Sequence, residues 1–255
     1  MYATKQSIFT SRPRYGQAIK ALNANERNRR KLTRVEMTLC KSVNIGGLYS
    51  RNNIAHKWKA PYRTLELRET VSWRTQDLLQ QSLVLFDAGH LLGARILLRS
   101  AFETLAILIY LSQLMRKVLN GKLDFHMFSD KTSILLLGSR DESTPHKAIN
   151  IITVIEKCNS RYPGIKSLYA ELSESAHPNY EGICIGYSTI DRENFETTYS
   201  NKWKSMYANS HIDCMKICFN TFFHEYNEEW SDVFDKLESW IEENDEQLEA
   251  TKNGI

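Results

Sequence analysis

Cysteines are few in this sequence and long hydrophobic runs are missing. The five cysteines form no C-x-x-C pair and no regular framework, and an odd, scattered set is typical of a reducing intracellular compartment. The longest uncharged apolar run, Thr104 to Leu114, is too short to span a bilayer. The N-terminus has no apolar segment of the kind that directs secretion. We therefore expect a cytoplasmic protein that does not enter a membrane.

Motifs for common cofactors and for hydrolytic nucleophiles are also missing. The sequence contains no G-x-x-x-x-G-K phosphate loop, no dinucleotide fingerprint, no H-E-x-x-H and no G-x-S-x-G. His211, Cys214 and Cys218 share one face of a predicted helix, which permits a soft-metal site. Small cysteines packed in a core explain the same pattern more simply. We predict no cofactor and no metal site.

The net charge of +3 conceals opposite charges at the two ends of the chain. Residues 1–36 hold nine Lys or Arg against two Glu, a net of +7, whereas residues 225–249 hold eleven acidic residues against one Lys, a net of −10. The basic end includes the cluster Arg27, Arg29, Arg30, Lys31 and Arg34. Such a cluster indicates either a patch that binds RNA phosphates or a solvated helix face.

Hydrophobic spacing predicts an all-α protein, an antiparallel helical bundle with one short β-hairpin near 183–199. We expect a basic, partly helical extension over 1–62 and a bundle over 63–255 that ends in an acidic helix. The bundle helices are predicted over 65–86, about 90–119, 146–159, 165–176, 202–226 and 230–248. Segments 42–61 and 122–145 are expected to be irregular connections, and Ile183, Ile185 and Tyr187 alternate as in a strand.

The most apolar segment, 87–111, predicts the central helix of the bundle. Gly89 can end the preceding helix, and so short a break makes the two helices an antiparallel hairpin. Arg95, Arg99 and Glu103 follow at steps of four and share one face of this otherwise apolar helix. The same face becomes apolar further along, which favours charged side chains that point into the bundle. A structural ion pair and an active-site pair both fit this pattern.

A second polar face is predicted on the helix over 165–176. Tyr169, Ser173 and His177 are spaced by four residues, so their side chains line one side of the helix. Imidazole titrates near neutrality and suits proton transfer. A histidine that only caps the end of its own helix explains the same position without a function.

Two parts of this pattern resemble the HEPN superfamily, over roughly residues 78–187. A helix that ends in glycine, followed by small residues at Ala94 and Ala101 and then by Glu103, resembles the opening hairpin of that superfamily. The sequence L-S-x-x-x-H-P-N at 172–179 resembles a poorly characterised bacterial branch of HEPN-like helical proteins. The resemblance implies a bundle of the HEPN type.

The resemblance also implies a function. Many HEPN proteins are metal-independent endoribonucleases that act as dimers in toxin or phage-defence systems. Their motif is an Arg followed a few residues later by a His, commonly R-N-x-x-x-H. The His handles the proton of the attacking 2′-hydroxyl or of the leaving group, and the Arg stabilises charge on the phosphate. The expected partners are therefore RNA, a second copy of the chain, and an antitoxin or other protein.

This sequence departs from the family motif, because no Arg precedes His177 at the required spacing. A composite site is one interpretation. In it His177 is the acid and base, and Arg99 on the neighbouring helix supplies the cation that binds phosphate. Ser173, Asn179 and Glu103 would then orient these groups.

A literal match to R-N-x-x-x-H lies elsewhere, at Arg51, Asn52 and His56. It precedes the predicted hairpin, which is early for this fold, and it is the alternative catalytic motif. A function of another class also fits the sequence, namely a non-catalytic helical adaptor or regulatory subunit that binds partner proteins through its charged ends. The missing Arg before His177 favours the adaptor, whereas polar residues concentrated on two helices favour the enzyme.

Overall fold

A computed structural model describes residues 29–30, 32 and 39–252 of the chain. Residues 39–252 belong to one compact unit. Its elements are α1 (Ile45–Arg51), a 3-10 turn (Ala55–Lys57), α2 (Lys59–Asp87), α3 (Leu91–Leu119), α4 (Phe125–Leu137), α5 (Ile151–Asn159), α6 (Ile165–Ala176), a π-helical turn (Tyr180–Ile185), β1 (Ser188–Asp191), β2 (Glu196–Tyr199), α7 (Trp203–His224), a second π-helical turn (Glu225–Glu229) and α8 (Trp230–Thr251). The predicted all-α bundle with a short hairpin is confirmed, whereas its HEPN type stays a prediction.

The hairpin of α2 and α3 organises the bundle. At its turn Gly89 has φ of +84°, a conformation that glycine adopts without the steric cost other residues carry. The amide of His90 donates to the Leu85 carbonyl at 2.8 Å and closes the end of α2. The helix after this turn, α3, packs against α2 and against each of α4 to α8. Its fully buried side chains include Leu98, Phe102, Leu105, Leu108, Ile109 and Leu111.

Two segments expected to be irregular are partly helical. In 122–145 the structure contains α4, which Asp124 caps by accepting the amide of Met127 at 2.9 Å. The buried face of α4 includes Thr132 and Ser133 as well as phenylalanines, so a purely apolar spacing did not reveal it. In 42–61 the structure contains α1, which begins after the capping residue Asn44 and buries none of its side chains.

Two further boundaries differ from the prediction. The helix expected from residue 146 begins at Ile151, because Ser139 pairs with the chain at 146–148 and Asn150 caps the first turn. The alternating residues Ile183 and Ile185 lie in a π-helical turn rather than in a strand. The hairpin itself follows, and β1 pairs antiparallel with β2.

The last two helices are continuous rather than separate. The second π-helical turn joins α7 to α8, and the backbone keeps helical dihedral angles at His224, Glu225, Glu229 and Trp230. Glu225 opens this turn and is fully buried. The two predicted helices, 202–226 and 230–248, are thus present as Trp203–His224 and Trp230–Thr251, and the residues between them are π-helical rather than irregular.

Among the described residues, no helix is both long enough and apolar enough to cross a bilayer.

Candidate functional site

The charged stripe of α3 meets the polar face of α6. Arg99 Nε donates to Ser173 Oγ at 3.0 Å, and Arg99 Nη2 donates to the Tyr169 hydroxyl at 2.8 Å. That hydroxyl donates to Glu103 Oε1 at 2.8 Å, and the same carboxylate lies 3.2 Å from Arg99 Nη2. Burial and the bond to Glu103 raise the pKa of Tyr169, so the phenol stays protonated as a donor. The structure thus brings Arg99, Glu103 and Ser173 together around Tyr169.

Arg95 makes a second set of contacts one turn earlier on α3. Its side chain is fully buried, its Nε donates to Ser175 Oγ at 2.8 Å, and its Nη2 lies 3.2 Å from Glu171 Oε1. The guanidinium carbon lies 4.1 Å from the centre of the Tyr207 ring. Nη1 of Arg95 is buried with no hydrogen-bond partner in the described part of the chain. These two adjacent sets of contacts hold α3 and α6 together.

The other members of the predicted composite site, His177 and Asn179, make no hydrogen bond with Arg99 in the described residues. His177 follows the last residue of α6, one turn beyond Ser173, and its exposed side chain makes no hydrogen bond or ion pair with the described residues. Asn179 accepts the amide of Gly182 at 2.9 Å and donates to Glu174. Asn179 therefore caps the first π-helical turn and does not contact the Arg99 cluster.

The Arg and the His of the alternative motif lie close together in the structure. Asn52 accepts the amide of Ala55 through its Oδ1 at 2.8 Å, and this bond folds the chain back after α1. As a result Arg51 Nη2 and His56 Nε2 lie 3.5 Å apart. The His56 side chain is only 3% exposed, whereas that of Arg51 is 53% exposed. The two residues of the R-N-x-x-x-H match are therefore in contact, one buried and one accessible.

Glu238 on α8 completes this cluster. Its Oε1 lies 2.7 Å from His56 Nε2 and also pairs with Arg51 Nη2. Its side chain is 9% exposed, so the carboxylate is held away from water by these two partners. The other ring nitrogen of His56, Nδ1, is buried without a hydrogen-bond partner among the described residues.

The contact between this segment and α8 extends beyond Glu238. Lys57 Nζ lies 2.6 Å from Asp245 Oδ2 and 3.0 Å from Glu249 Oε1. The Trp58 indole donates to Asp245 Oδ1 at 2.9 Å. Hydrogen bonds from Lys57 and Trp58 lower the pKa of Asp245, so its carboxylate stays ionised. The acidic last helix therefore binds the basic side chains that precede the bundle.

The basic N-terminal cluster falls largely outside the described residues. Arg27, Lys31 and Arg34 are not among them. Arg29 and Arg30 are helical and exposed, which agrees with both interpretations of the cluster.

His211, Cys214 and Cys218 lie in the core. His211 is fully buried, stacks on Phe86 with ring centres 5.3 Å apart and lies 3.3 Å from Ser82 Oγ. Burial, aided by the positive charge of Arg95, lowers the pKa of His211 to about 3, so the ring is neutral. No group of three His, Cys, Asp or Glu side chains in the described residues is arranged to hold a metal ion.

Glu238 is the site residue that sequence reasoning missed. It is one of eleven acidic residues between 225 and 249, and nothing in that composition distinguishes the two buried ones, Glu225 and Glu238. A helical projection offers a partial signal, since the apolar residues Phe234, Leu237 and Ile241 surround its position on the buried face of α8. Which residue it would meet across the bundle was not readable from the sequence.

Comparison with known proteins finds no family model, no curated protein and no solved structure that matches this chain.

Proposed function

We propose that this protein is a metal-independent endoribonuclease of the HEPN-like kind, with Arg51 and His56 as its reactive pair. The observation that supports the proposal is the contact of Arg51 Nη2 with His56 Nε2, 3.5 Å apart. The R-N-x-x-x-H match thus places a cation beside an imidazole, which is the pair that RNA cleavage without a metal requires. Asn52 has a structural role in this pair, because its side chain closes the turn between Arg51 and His56.

The proposed chemistry is an internal transfer at one phosphodiester. His56 Nε2 removes the proton from a ribose 2′-hydroxyl, and that oxygen forms a bond to the adjacent phosphorus. The bond from phosphorus to the 5′-oxygen breaks, that oxygen takes up a proton from water as it leaves, and His56 then returns its own proton to water. Arg51 offsets the negative charge that develops on the non-bridging oxygens. The products are a 2′,3′-cyclic phosphate and a 5′-hydroxyl.

The pair Arg51 and His56 is favoured over Arg99 and His177 for a geometric reason. A general base works best when its ring is held beside the group that stabilises charge. His56 is held in this way, whereas His177 has no side-chain partner among the described residues. Arg99 is in addition less accessible to a substrate, since its side chain is 25% exposed whereas that of Arg51 is 53% exposed.

End-labelled RNA incubated with the purified protein in EDTA tests the proposal. We expect cleavage with cyclic phosphate ends, and a loss of roughly 10²–10⁴-fold in rate for His56→Ala, as for removal of a general acid or base. His177→Ala is the matched control, because it removes an exposed imidazole and should leave the rate within about twofold. Loss of cleavage in Arg99→Ala and His177→Ala, with His56→Ala active, would instead favour the composite site.

The setting that we propose is a bacterial toxin or phage-defence system in which the protein acts as a homodimer on RNA. The exposed Arg29 and Arg30 would contribute to binding of the RNA backbone, so substitution of both should reduce the salt dependence of RNA binding. Induced expression in a bacterial host should arrest growth, and the His56→Ala variant should relieve that arrest. Light scattering of the purified protein measures whether it is a dimer.

A non-catalytic adaptor is the second candidate. It is favoured by one observation, that internal carboxylates occupy the cations of both clusters, Glu238 at Arg51 and Glu103 at Arg99. In that case the protein should bind no RNA and should not cleave it under any of the conditions above. It would instead bind a partner protein through its charged ends.

A further inference from the structure

We infer that the Glu238 carboxylate occupies the position of a phosphate oxygen at the Arg51–His56 pair, so that the chain's own last helix masks this site. The inference rests on the proposed function, because it assigns to that same pair an internal competitor of the RNA phosphate. It adds a regulatory role for α8 that the R-N-x-x-x-H motif does not imply.

The geometry of one oxygen atom carries the inference. Glu238 Oε1 receives both the His56 Nε2 contact, at 2.7 Å, and the Arg51 Nη2 contact. Once His56 is protonated, as it is after it takes up the 2′-hydroxyl proton, a non-bridging phosphate oxygen bound between the guanidinium and the imidazolium would occupy the same point and use the same two donors. A carboxylate and a phosphate are both anionic oxygen ligands, so only one of them can be bound there at a time.

The contact of Glu238 with His56 is better explained if Glu238 blocks the phosphate site than if it orients His56 for catalysis. A carboxylate that orients a catalytic histidine binds one ring nitrogen and leaves the other facing the substrate. In His56 the nitrogen that Glu238 leaves free is Nδ1, which is buried and has no partner among the described residues. Substrate therefore has no access to the free nitrogen, and the accessible direction, toward Arg51, is the one that Glu238 occupies.

Packing indicates which side of the contact moves. The helix α8 is anchored in the core by Trp230, Val233, Phe234, Leu237, Ile241 and Leu248. In contrast α1, which ends at Arg51, buries none of its residues. Displacement of α1 costs little apolar burial, whereas displacement of α8 costs much more. We therefore assign the opening movement to α1 and to the Glu238 side chain.

Binding of inorganic phosphate, measured by calorimetry and by the NMR shifts of the His56 ring, tests the inference. Glu238→Gln keeps the size of the side chain and removes its charge, so it should increase phosphate affinity roughly tenfold or more, as expected when a competing closed state is lost. Glu242→Gln is the matched control. Glu242 lies one turn further along α8 and is exposed, so this variant removes the same charge without contacting the pair.

A third variant separates masking from folding effects. Glu238→Asp keeps the charge but shortens the side chain, which withdraws the oxygen from Arg51 and His56 and should also increase phosphate affinity. Both gains should disappear when Arg51→Gln is added. Thermal unfolding of each variant identifies any that does not fold, and the aspartate variant then supplies the result if the glutamine variant fails.

Three results would overturn the inference. The first is unchanged phosphate affinity in both Glu238 variants. The second is an equal gain in Glu242→Gln, which would attribute the effect to net charge. The third is RNA cleavage that falls in Glu238→Gln, which would make Glu238 a positioning residue. A gain in phosphate affinity without any RNA cleavage supports masking by Glu238 and contradicts only the proposed ribonuclease activity. The experiment can therefore reject either proposal without rejecting the other.

Discussion

His56 Nε2 lies 2.7 Å from Glu238 Oε1, and this contact joins the segment before the bundle to its last helix. Both side chains are nearly enclosed, at 3% and 9% exposure, whereas the second partner of Glu238, Arg51, is mainly in solvent. The enclosed histidine and the exposed arginine should therefore contribute unequally to stability, although they bind the same oxygen.

Substitution of these two partners tests that difference. We expect His56→Ala to lower the free energy of unfolding by roughly 2–3 kcal/mol, because a buried carboxylate then loses its enclosed donor. We expect Arg51→Ala to cost only about 0–1 kcal/mol, as for an exposed ion pair. Urea unfolding followed by circular dichroism measures both, and an Arg51→Ala loss as large as that of His56→Ala would contradict this reasoning.

Substitutions of the buried Arg95 and of its partner Glu171 should also differ in their effect on the free energy of unfolding. Glu171→Gln leaves the fully buried Arg95 guanidinium without its carboxylate partner, and we expect a loss of about 1 kcal/mol, because the Glu171 side chain is 42% exposed and water screens the pair. Arg95→Met removes the buried charge itself and fills most of the space, so its cost should be smaller. Chemical unfolding of the two variants under the same conditions compares them. A larger loss in Arg95→Met would show that the ion pair and its bond to Ser175 stabilise the fold outright.

The π-helical turn between α7 and α8 depends on Arg161. Its Nε lies 2.7 Å from the fully buried Glu225, and the Tyr162 hydroxyl donates to the same oxygen at 2.6 Å. Arg161→Ala should cost about 3–5 kcal/mol, because it leaves a buried carboxylate without its cation. Lys166→Ala is the control, since the Lys166 pair with Glu156 is exposed and should contribute at most about 1 kcal/mol. Equal losses in the thermal unfolding of the two variants would contradict the prediction.

His211 should make stability depend on pH. Its folded pKa is lowered from 6.5 to about 3, so between these values the unfolded chain binds a proton at this residue and the folded chain does not. The free energy of unfolding therefore falls as the pH drops below 6.5, by up to about 1.4 kcal/mol per pH unit from this residue. The stability that depends on a neutral His211 ring is fully present above pH 6.5 and is lost progressively as the pH falls toward 3.

Urea unfolding of the wild type and of His211→Gln at pH 7, 6 and 5 isolates that contribution. The variant lacks the titrating group, so its stability should fall less steeply with decreasing pH than that of the wild type. Parallel pH dependences in the two proteins would mean that His211 is protonated equally in the folded and unfolded states.

The local features of the fold were predictable where they depend on nearby residues. Gly89 and the two apolar segments around it predict the α2–α3 hairpin, because a left-handed glycine ends one helix and hydrophobic spacing defines the next. The spacing of Arg95, Arg99 and Glu103 predicts a shared face for the same local reason. The helix α4 was missed because its buried face includes the polar residues Thr132 and Ser133, whose hydrogen bonds substitute for apolar character.

The sequence by itself determined the helical class, the central hairpin and the two polar faces, since each follows from residues a few positions apart. Only the tertiary structure decided that Arg99 donates hydrogen bonds to Tyr169 and Ser173, and that His177, where the backbone leaves the helix, makes no side-chain hydrogen bond with the described residues. It also decided that Glu238, among many acidic residues of the last helices, contacts Arg51 and His56. Residues so far apart in the chain meet only because the helices between them pack together. No local sequence pattern encodes which two residues that packing brings into contact.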